Sequence, residues 1–210
     1  MQVNWVIGAR AAMMALAALA CCHWPLVAQM PALQPVDAFS NSGTVTIDGK
    51  PQKYKVEHLP ASSFPMLPPA VAVELNRREC LIPQTYEAHG PENVIHGSFK
   101  HAGETDWAVL CSVHGTVSLL VFFEGAAETP AVVSSAPETA RLQLNNSTGE
   151  FGFDWGIDVA SPEQVHEAQL DMRRRPPRLD HDAVASSIID GETTYRFFNG
   201  SIWTILDTSD

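Results

Sequence analysis

Hydrophobic and polar positions alternate on both sides of Asp48-Gly49, in the line TVTIDGKPQKYKVEHL. Alternation with a period of two is typical of strands, and Asp-Gly is a favoured two-residue hairpin turn. We therefore predict a β-hairpin that begins near Gly43. Pro51 weakens its second strand, because proline has no backbone donor for a strand ladder.

Three apolar runs follow between residues 94 and 123, and they read VIHGSF, WAVLCSV and VSLLVFF. They are rich in β-branched and aromatic residues and are separated by turns that contain glycine, so we predict three strands. The second and third runs are apolar on both faces, which indicates inner strands covered from both sides. The stretch AVVSSAPETARLQLNNSTG is expected to hold one or two further short strands.

A second hairpin is predicted at the C-terminus, where TTYRFF, an Asn-Gly pair at 199–200 and SIWTIL follow one another. Asn-Gly tolerates the positive φ angles of a type I′ turn. A two-residue turn places Phe197 opposite Ile202. It also places Arg196 opposite Trp203, where a cation–π contact is expected.

Two segments carry the signals of helices. Prolines open the first turn of a helix predicted over residues 69–79. A second helix is predicted from Ser161 to about Arg174, with Pro162 at its first position and Gln164 completing a capping box. Strands interspersed with helices predict an α+β fold, a single domain with a central antiparallel sheet, two or three helices and a C-terminal β-hairpin.

The N-terminal segment has the pattern of an export signal. Residues 1–29 carry one charge, Arg10, followed by the apolar run AAMMALAALACC. This run is shorter than the roughly 20 residues of a membrane span, so we predict a cleaved signal and a periplasmic or extracellular protein. A membrane anchor and a lipid attached at Cys21 are the alternatives. Residues 30–42 lack periodicity and are predicted to be a flexible leader, which leaves 43–210 as the single domain.

Cysteine content and charge narrow the class of protein. Cys80 and Cys111 are the pair that follows the predicted signal, and an oxidising compartment favours a disulfide between them. Two buried free thiols are the alternative.

The net charge of −11 argues against nucleic-acid binding, because phosphates require a basic face. The arginines at 173–178 are expected to interact with the carbonyl end of the preceding helix.

Standard catalytic motifs, such as G-x-S-x-G, H-E-x-x-H and Gly-rich phosphate loops, do not occur in the sequence, and we predict no cofactor. Three histidines, His96, His101 and His114, lie around the central strands and could meet Asp106 or Glu104 at a zinc ion. Their spacing matches no compact metal motif, so no metal site is predicted.

Two further groups of residues are candidates for catalysis. In Asp180-His181-Asp182, a carboxylate next to an imidazole can orient the ring for proton transfer. The alternative is that Asp180 or Asp182 caps a helix over DAVASSII. Ser112 and His114 would share one face of a strand, but no third orienting group accompanies them.

Two tryptophans are candidates for a ligand or partner surface. Trp155 lies in FDWGID and Trp203 lies on the last predicted hairpin, and tryptophan beside polar residues often marks an interface. The alternative is that both side chains cover the hydrophobic core.

The line IHGSFKHAGETDWAVLCSVHGTVSLLVFF contains Phe99, Gly103 and Asp106 in the order of a known repeat. It resembles a degenerate FG-GAP or VCBS-type repeat, whose pattern GDFNGDGxxDLAV surrounds calcium with acidic and Asn side chains. Ser98, Lys100 and Ala102 stand at positions where the repeat carries its other oxygen ligands. Calcium needs six or more oxygens, so one carboxylate beside a lysine ammonium cannot hold it. We therefore expect this line to be strand-turn-strand scaffold.

A wider resemblance rests on CLIPQ, NVIHG, VLCS, DHDAV and NGSIWTILDTSD. Together they are similar to a group of exported bacterial proteins without an assigned activity. This resemblance implies a family and an exported location but supplies no activity. From the lack of catalytic motifs and the candidate tryptophan surface, we predict an exported cell-envelope binding or accessory protein, whose partner is an envelope protein or a glycan. The alternatives are an envelope hydrolase that uses the central histidines or the 180–182 loop, and a tethered structural component of the envelope.

Overall fold

The computed structural model describes residues 41–124 and 126–209. Strands make up 45% of these residues and helices 14%, and the strands form three sheets. The protein is therefore β-rich, and the predicted α+β class is wrong. The predicted signal over 1–29, and all but the last two residues of the predicted leader, lie outside the described residues. The division into leader and domain stays a prediction.

The described part of the chain contains fourteen strands, two α-helices and two 3₁₀ turns. The strands are β1 (Ser42–Ile47), β2 (Lys50–Lys55), β3 (Glu57–Pro60), β4 (Leu81–Gln84), β5 (Val94–Gly97), β6 (Asp106–Val113), β7 (Thr116–Phe122), β8 (Ala131–Pro137), β9 (Leu142–Asn145), β10 (Glu150–Phe153), β11 (Trp155–Ala160), β12 (Ala183–Ile188), β13 (Thr193–Phe198) and β14 (Trp203–Leu206). The helices are α1 (Pro69–Arg77) and α2 (Pro162–Ala168), and the 3₁₀ turns cover Ala61–Ser63 and Glu138–Arg141.

The strands are arranged in three sheets. The N-terminal sheet has the order β1-β2-β10-β9, and the C-terminal sheet has the order β11-β12-β13-β14. The central sheet has the order β3-β4-β6-β7-β8, with β5 beside β6. Neighbouring strands are antiparallel except β2 and β10, whose ladder is one parallel pair between Tyr54 and Phe151.

The central sheet is apolar on both faces. One face packs against the other two sheets, through side chains that include Ala108, Leu110, Leu119, Phe153, Trp155 and Val184. The opposite face packs under α1, through side chains that include Trp107, Val109, Leu120, Phe122, Val71 and Leu75. This arrangement confirms the prediction that WAVLCSV and VSLLVFF are inner strands, because β6 and β7 have neighbours on both sides and apolar side chains on both faces.

Both predicted hairpins form, but the second has a different register. Asp48 and Gly49 take φ angles of 51° and 75°, as the two-residue turn requires. At the C-terminus, Phe198 pairs with Trp203, so the connecting loop has four residues in place of two. Asn199 explains the longer loop, because its side-chain oxygen accepts hydrogen bonds from two backbone amides inside it.

The cation–π contact predicted in the C-terminal hairpin is absent from its ladder. Arg196 pairs with Ile205, two residues beyond the predicted partner Trp203. The reason is the longer loop, because a shift in register changes every pair of facing residues in a hairpin.

The helices begin where the sequence predicts, and the second ends early. Ser161 and Gln164 form the predicted capping box, with Ser161 Oγ accepting from Gln164 N and Gln164 Oε1 accepting from Ser161 N. The helix α2 stops at Ala168, before the predicted Arg174. Beyond it the chain folds back, and the guanidinium of Arg175 donates to the carbonyl of His166. An arginine of the basic segment therefore does bind a carbonyl at the end of the helix, as predicted.

The segment DAVASSII forms the strand β12, so the prediction of a helix capped by Asp180 or Asp182 is wrong. The strand lies between β11 and β13, with Val184 facing the central sheet and Ala183 facing α2. Its small and β-branched residues fit between two packed layers, and pairing with two neighbours outweighs the weak local preference for helix.

Candidate functional site

Ser112 lies in a buried polar cluster, which we call the Glu138 cluster. The Ser112 hydroxyl donates to one carboxylate oxygen of Glu138, and the other oxygen lies 2.7 Å from His58 Nε2. The Glu138 side chain is 0% exposed and that of His58 is 2% exposed. His114 does not take part, because it is an exposed residue of the β6–β7 turn with a φ angle of 48°.

The Glu138 cluster could not be inferred from the sequence, because its members are far apart along the chain. Glu138 is 26 residues from Ser112 and 80 residues from His58. The hydroxyl contacts a carboxylate and does not contact an imidazole, so a nucleophile activated by histidine is not formed. The cluster joins β3, β6 and the 3₁₀ turn after β8 inside the core.

The loop at 180–182 also has a structural arrangement. His181 is buried, with Nδ1 2.7 Å from Asp180 Oδ1 and Nε2 2.9 Å from the carbonyl oxygen of Phe198. Its ring stacks on Phe197 at a centroid distance of 4.2 Å. The candidate pairing of a carboxylate with the imidazole is therefore present, between Asp180 and His181. Both ring nitrogens are engaged, so the ring fastens this loop to β13.

The line that resembles a calcium repeat is held by carboxylates that bind backbone amides. Asp106 is fully buried, and its two oxygens accept hydrogen bonds from the amides of Lys100 and Glu124 at 2.8 and 2.9 Å. Asp182 Oδ2 accepts from the amide of Ser98 at 2.9 Å. The one acid left from the repeat pattern therefore fixes the loop before β6 and the residue after β7.

Histidines do not converge in this region. His96, His101 and His114 are all exposed, and the ring of His96 lies 5.1 Å from the ring of Trp107. In the described residues, no group of three or more His, Cys, Asp or Glu side chains is placed to hold a metal ion.

The two candidate tryptophans have different surroundings. Trp155 is 1% exposed, and its Nε1 donates to Ser186 Oγ at 2.7 Å, so burial removes it from any surface. Trp203 is half-buried and stacks on Phe123 with ring planes 8° apart, while Phe198 packs against both rings. Trp203 thus belongs to an aromatic cluster that links the C-terminal sheet to the end of β7.

The predicted disulfide is present. Cys80 and Cys111 are bonded, with their Cα atoms 5.3 Å apart, and both are buried beneath α1. The bond ties the residue before β4 to β6 and is consistent with an exported protein, because such bonds persist in oxidising compartments.

The helices of the described residues are all too short or too polar to cross a membrane.

A groove of about 620 Å³ lies beside the N-terminal end of α1 and is the candidate site. We call it the α1 groove. Trp107 and Phe122 form its floor, Val71 lines it from α1, and Phe123 connects it to the aromatic cluster. Its polar lining residues include Thr105, Glu124, Glu128 and Thr129. This volume and mostly apolar lining are typical of ligand sites in proteins.

The apolar floor continues along β7 past the other end of α1. A second groove of about 300 Å³ is lined by Leu120, Val132 and Arg78, on the same face of the central sheet. A helix is about 10 Å wide and strands are about 4.8 Å apart, so one helix covers about two strands. The single helix α1 therefore leaves part of this face open, and Val132 is 59% exposed.

Charges at the two grooves are unevenly balanced. The hydrogen bond from Arg77, assisted by Arg78, lowers the pKa of Glu74 to about 2 despite the opposing effect of burial. In turn Glu74, and more weakly Glu128, raises the pKa of Arg77. Both arginines at the end of α1 are thus largely compensated, whereas Glu124 on the α1 groove is exposed and has no ion pair within the described residues.

Sequence reasoning placed the groove residues in core strands and did not identify them as a site. The groove could have been inferred from two features of the sequence. The strands β6 and β7 are apolar on both faces, and the predicted helix at 69–79 is the only helix predicted near them in the chain and is short. A sheet face wider than the element that covers it leaves an apolar surface exposed.

Comparison of the chain with known protein families, curated proteins and solved structures found no match. The resemblance to FG-GAP or VCBS-type repeats and the wider resemblance to exported bacterial proteins therefore stay predictions. The comparisons therefore supply no function for the α1 groove, which is an apolar site formed by described residues.

Proposed function

We propose that the protein is an exported binding or accessory protein of the cell envelope, which holds an apolar side chain of a partner protein in the α1 groove. The observation that carries this proposal is the 620 Å³ groove floored by Trp107 and Phe122 on an incompletely covered sheet face. Export itself rests on the N-terminal sequence pattern and on the Cys80–Cys111 disulfide.

The groove favours a ligand with a definite chemistry. Burial of one Leu or Phe side chain contributes about 1.5–3 kcal/mol, so an apolar anchor supplies the affinity. Glu124 and Glu128 are exposed at the groove, on a chain with a net charge of −11. A Lys or Arg next to the anchor in the partner would be attracted to these carboxylates. The proposed ligand is therefore a protein segment with an apolar residue beside a basic one.

The hydrolase alternative has less support. A nucleophile needs a base within hydrogen-bond reach, and the hydroxyl of Ser112 donates to the buried Glu138. The imidazole of His181 has both nitrogens engaged and is 6% exposed. Neither group is available to a substrate in this arrangement.

A steric block of the groove tests the proposal. Ala70 lies on the exposed side of α1 and lines the groove, so Ala70→Trp should fill it without removing a core side chain. Val73 is 67% exposed on the same helix and does not line the groove, which makes Val73→Trp the matched control. The probe is a phage-displayed library of random peptides selected against the oxidised protein.

We expect selected peptides to carry an aromatic or large aliphatic residue beside Lys or Arg. Their affinity should fall by about tenfold or more for Ala70→Trp and stay unchanged for Val73→Trp, since about 1.4 kcal/mol of lost burial is a tenfold change. If the library gives no enrichment, or if the peptides bind both variants equally well, the groove is not the binding site.

A further inference from the structure

A second, polar cleft lies on the N-terminal sheet side of the molecule, away from the α1 groove. It consists of two adjoining cavities of about 230 and 360 Å³, which share Glu57, Gln84 and Ala88 in their linings. The β9–β10 hairpin forms one wall, and the segment that follows β4 forms the other. We call this joined space the polar cleft.

The wall that carries Tyr86 is held by close packing. A Cβ atom added at Gly152 would lie 2.5 Å from the Cβ of Tyr86, so only glycine lets the tyrosine lie this close to β10. The amide of Tyr86 also donates to the carbonyl of Phe153 at 3.0 Å. The half-buried phenol ring is therefore fixed at the cleft before any ligand arrives.

The rest of that wall is locked by side-chain hydrogen bonds. Gln84 donates to the carbonyl of Glu92 and accepts from its amide, at 3.1 and 2.7 Å. The carboxylate of Glu92 accepts from the amide of Thr85 at 2.7 Å. These bonds close the loop between β4 and β5, so the polar cleft has a preformed shape, which reduces the entropy lost on binding.

Polar groups without a side-chain partner point to the kind of ligand. In the described part of the chain, the exposed side chains of Lys55 and Glu57 and the half-buried side chain of Glu150 make no hydrogen bond or ion pair with protein, and all three line the cleft. Burial, and then nearby carboxylates, raise the pKa of Tyr86, so its hydroxyl stays protonated. The cleft thus offers one ammonium group, two carboxylates, and the aromatic ring and hydroxyl of Tyr86.

These groups select against several classes of ligand. Two carboxylates repel phosphates and other anions, and an apolar ligand would leave the charged groups unsatisfied. A sugar ring has hydroxyls that both donate and accept, and one ring face made of C–H groups that can lie on an aromatic ring. We propose that the polar cleft binds a saccharide, with Tyr86 under the sugar ring and with Lys55, Glu57 and Glu150 bonded to its hydroxyls. The excess of carboxylates favours amino sugars.

Isothermal titration and amide NMR of the oxidised protein with soluble oligomers test this site. The probes are oligomers of N-acetylglucosamine, of glucosamine and of glucose. We expect at least one of them to bind and to shift the amide signals of Tyr86 and Thr148, with the glucosamine oligomer binding more tightly than the glucose oligomer. No binding by any of the three at millimolar concentration overturns the proposal.

Paired variants locate the site. Glu57→Gln keeps the size of the side chain and should weaken binding by about tenfold, because a charge-assisted hydrogen bond is lost. Glu87→Gln is the control, because Glu87 is exposed next to Tyr86 and does not line the cleft. Tyr86→Ala should abolish binding. If the three variants bind like the wild type, or if Glu57→Gln and Glu87→Gln weaken binding equally, the saccharide is not held in the polar cleft.

Discussion

Glu138 carries a fully buried carboxylate that accepts hydrogen bonds from Ser112 and His58, and its replacement by alanine is the sharpest test of the core. A hydrogen bond to a charged group contributes about 1.5–3 kcal/mol, and two such bonds are lost. The variant also leaves the hydroxyl and the imidazole buried without this partner. Removal of one member of a buried charged cluster typically costs about 3–5 kcal/mol, and we expect Glu138→Ala to fall in that range.

Urea unfolding followed by tryptophan fluorescence measures the change, with the free energy of unfolding extrapolated to water. Ser112→Ala should cost about 1–3 kcal/mol on its own, because it leaves one carboxylate oxygen unsatisfied. The double variant should cost less than the sum of the two singles, by about 0.5–3 kcal/mol, because both changes remove the same bond. Glu167→Ala on the exposed face of α2 is the control and should change stability by less than about 0.5 kcal/mol.

Two results would refute this reasoning about the Glu138 cluster. A cost below about 1 kcal/mol for Glu138→Ala would show that the hydrogen bonds of its carboxylate do not outweigh the free energy of burying it. Strict additivity of Ser112→Ala and Glu138→Ala would show that the two side chains do not share a hydrogen bond.

Two further predictions concern the layer beneath and around α1. Reduction of the Cys80–Cys111 disulfide should lower the free energy of unfolding by about 3–4 kcal/mol, because the cysteines are 31 residues apart, and the double Cys→Ser variant should match the reduced protein in urea unfolding. An unchanged midpoint would contradict this. The pKa of Glu74 falls from its ordinary value of 4.5 to about 2, chiefly through Arg77, so its stabilising effect is present above pH 4.5 and is lost as the pH falls towards 2. The unfolding midpoints of the wild type and Glu74→Gln should therefore converge as the pH falls over that range. A difference in midpoint that stays constant with pH would show that the ion pair of Glu74 does not cause the difference in stability.

Elements with strong local signals could be predicted from the sequence. The Asp48-Gly49 turn, the capping box at Ser161 and the inner strands β6 and β7 each depend on residues close together in the chain. Positive φ angles, helix caps and apolar runs are local properties, so they can be recognised without knowledge of the tertiary fold.

Features that depend on distant partners could not be predicted. The strand β12 takes its conformation from β11 and β13 on either side, which outweighs the helical interpretation of DAVASSII. The C-terminal register follows from one side chain, Asn199, that accepts from the amides of its own loop. The α1 groove likewise joins residues from α1, β6 and the segment after β7. The polar cleft joins residues from β2 and β3, from the segment after β4 and from the β9–β10 hairpin.

The single ladder pair between Tyr54 and Phe151 has a mechanical consequence. The β1–β2 hairpin is joined to its sheet by that pair, and its open end lies at Ser42, where β1 begins. A pulling force on the chain before Ser42 would peel β1 away one pair at a time, which requires less force than shearing several pairs at once. The same pull would reach the buried carboxylate, because Asn41 lies 2.8 Å from His58 Nδ1. Tension on the N-terminal segment would therefore act on the contact between His58 and Glu138.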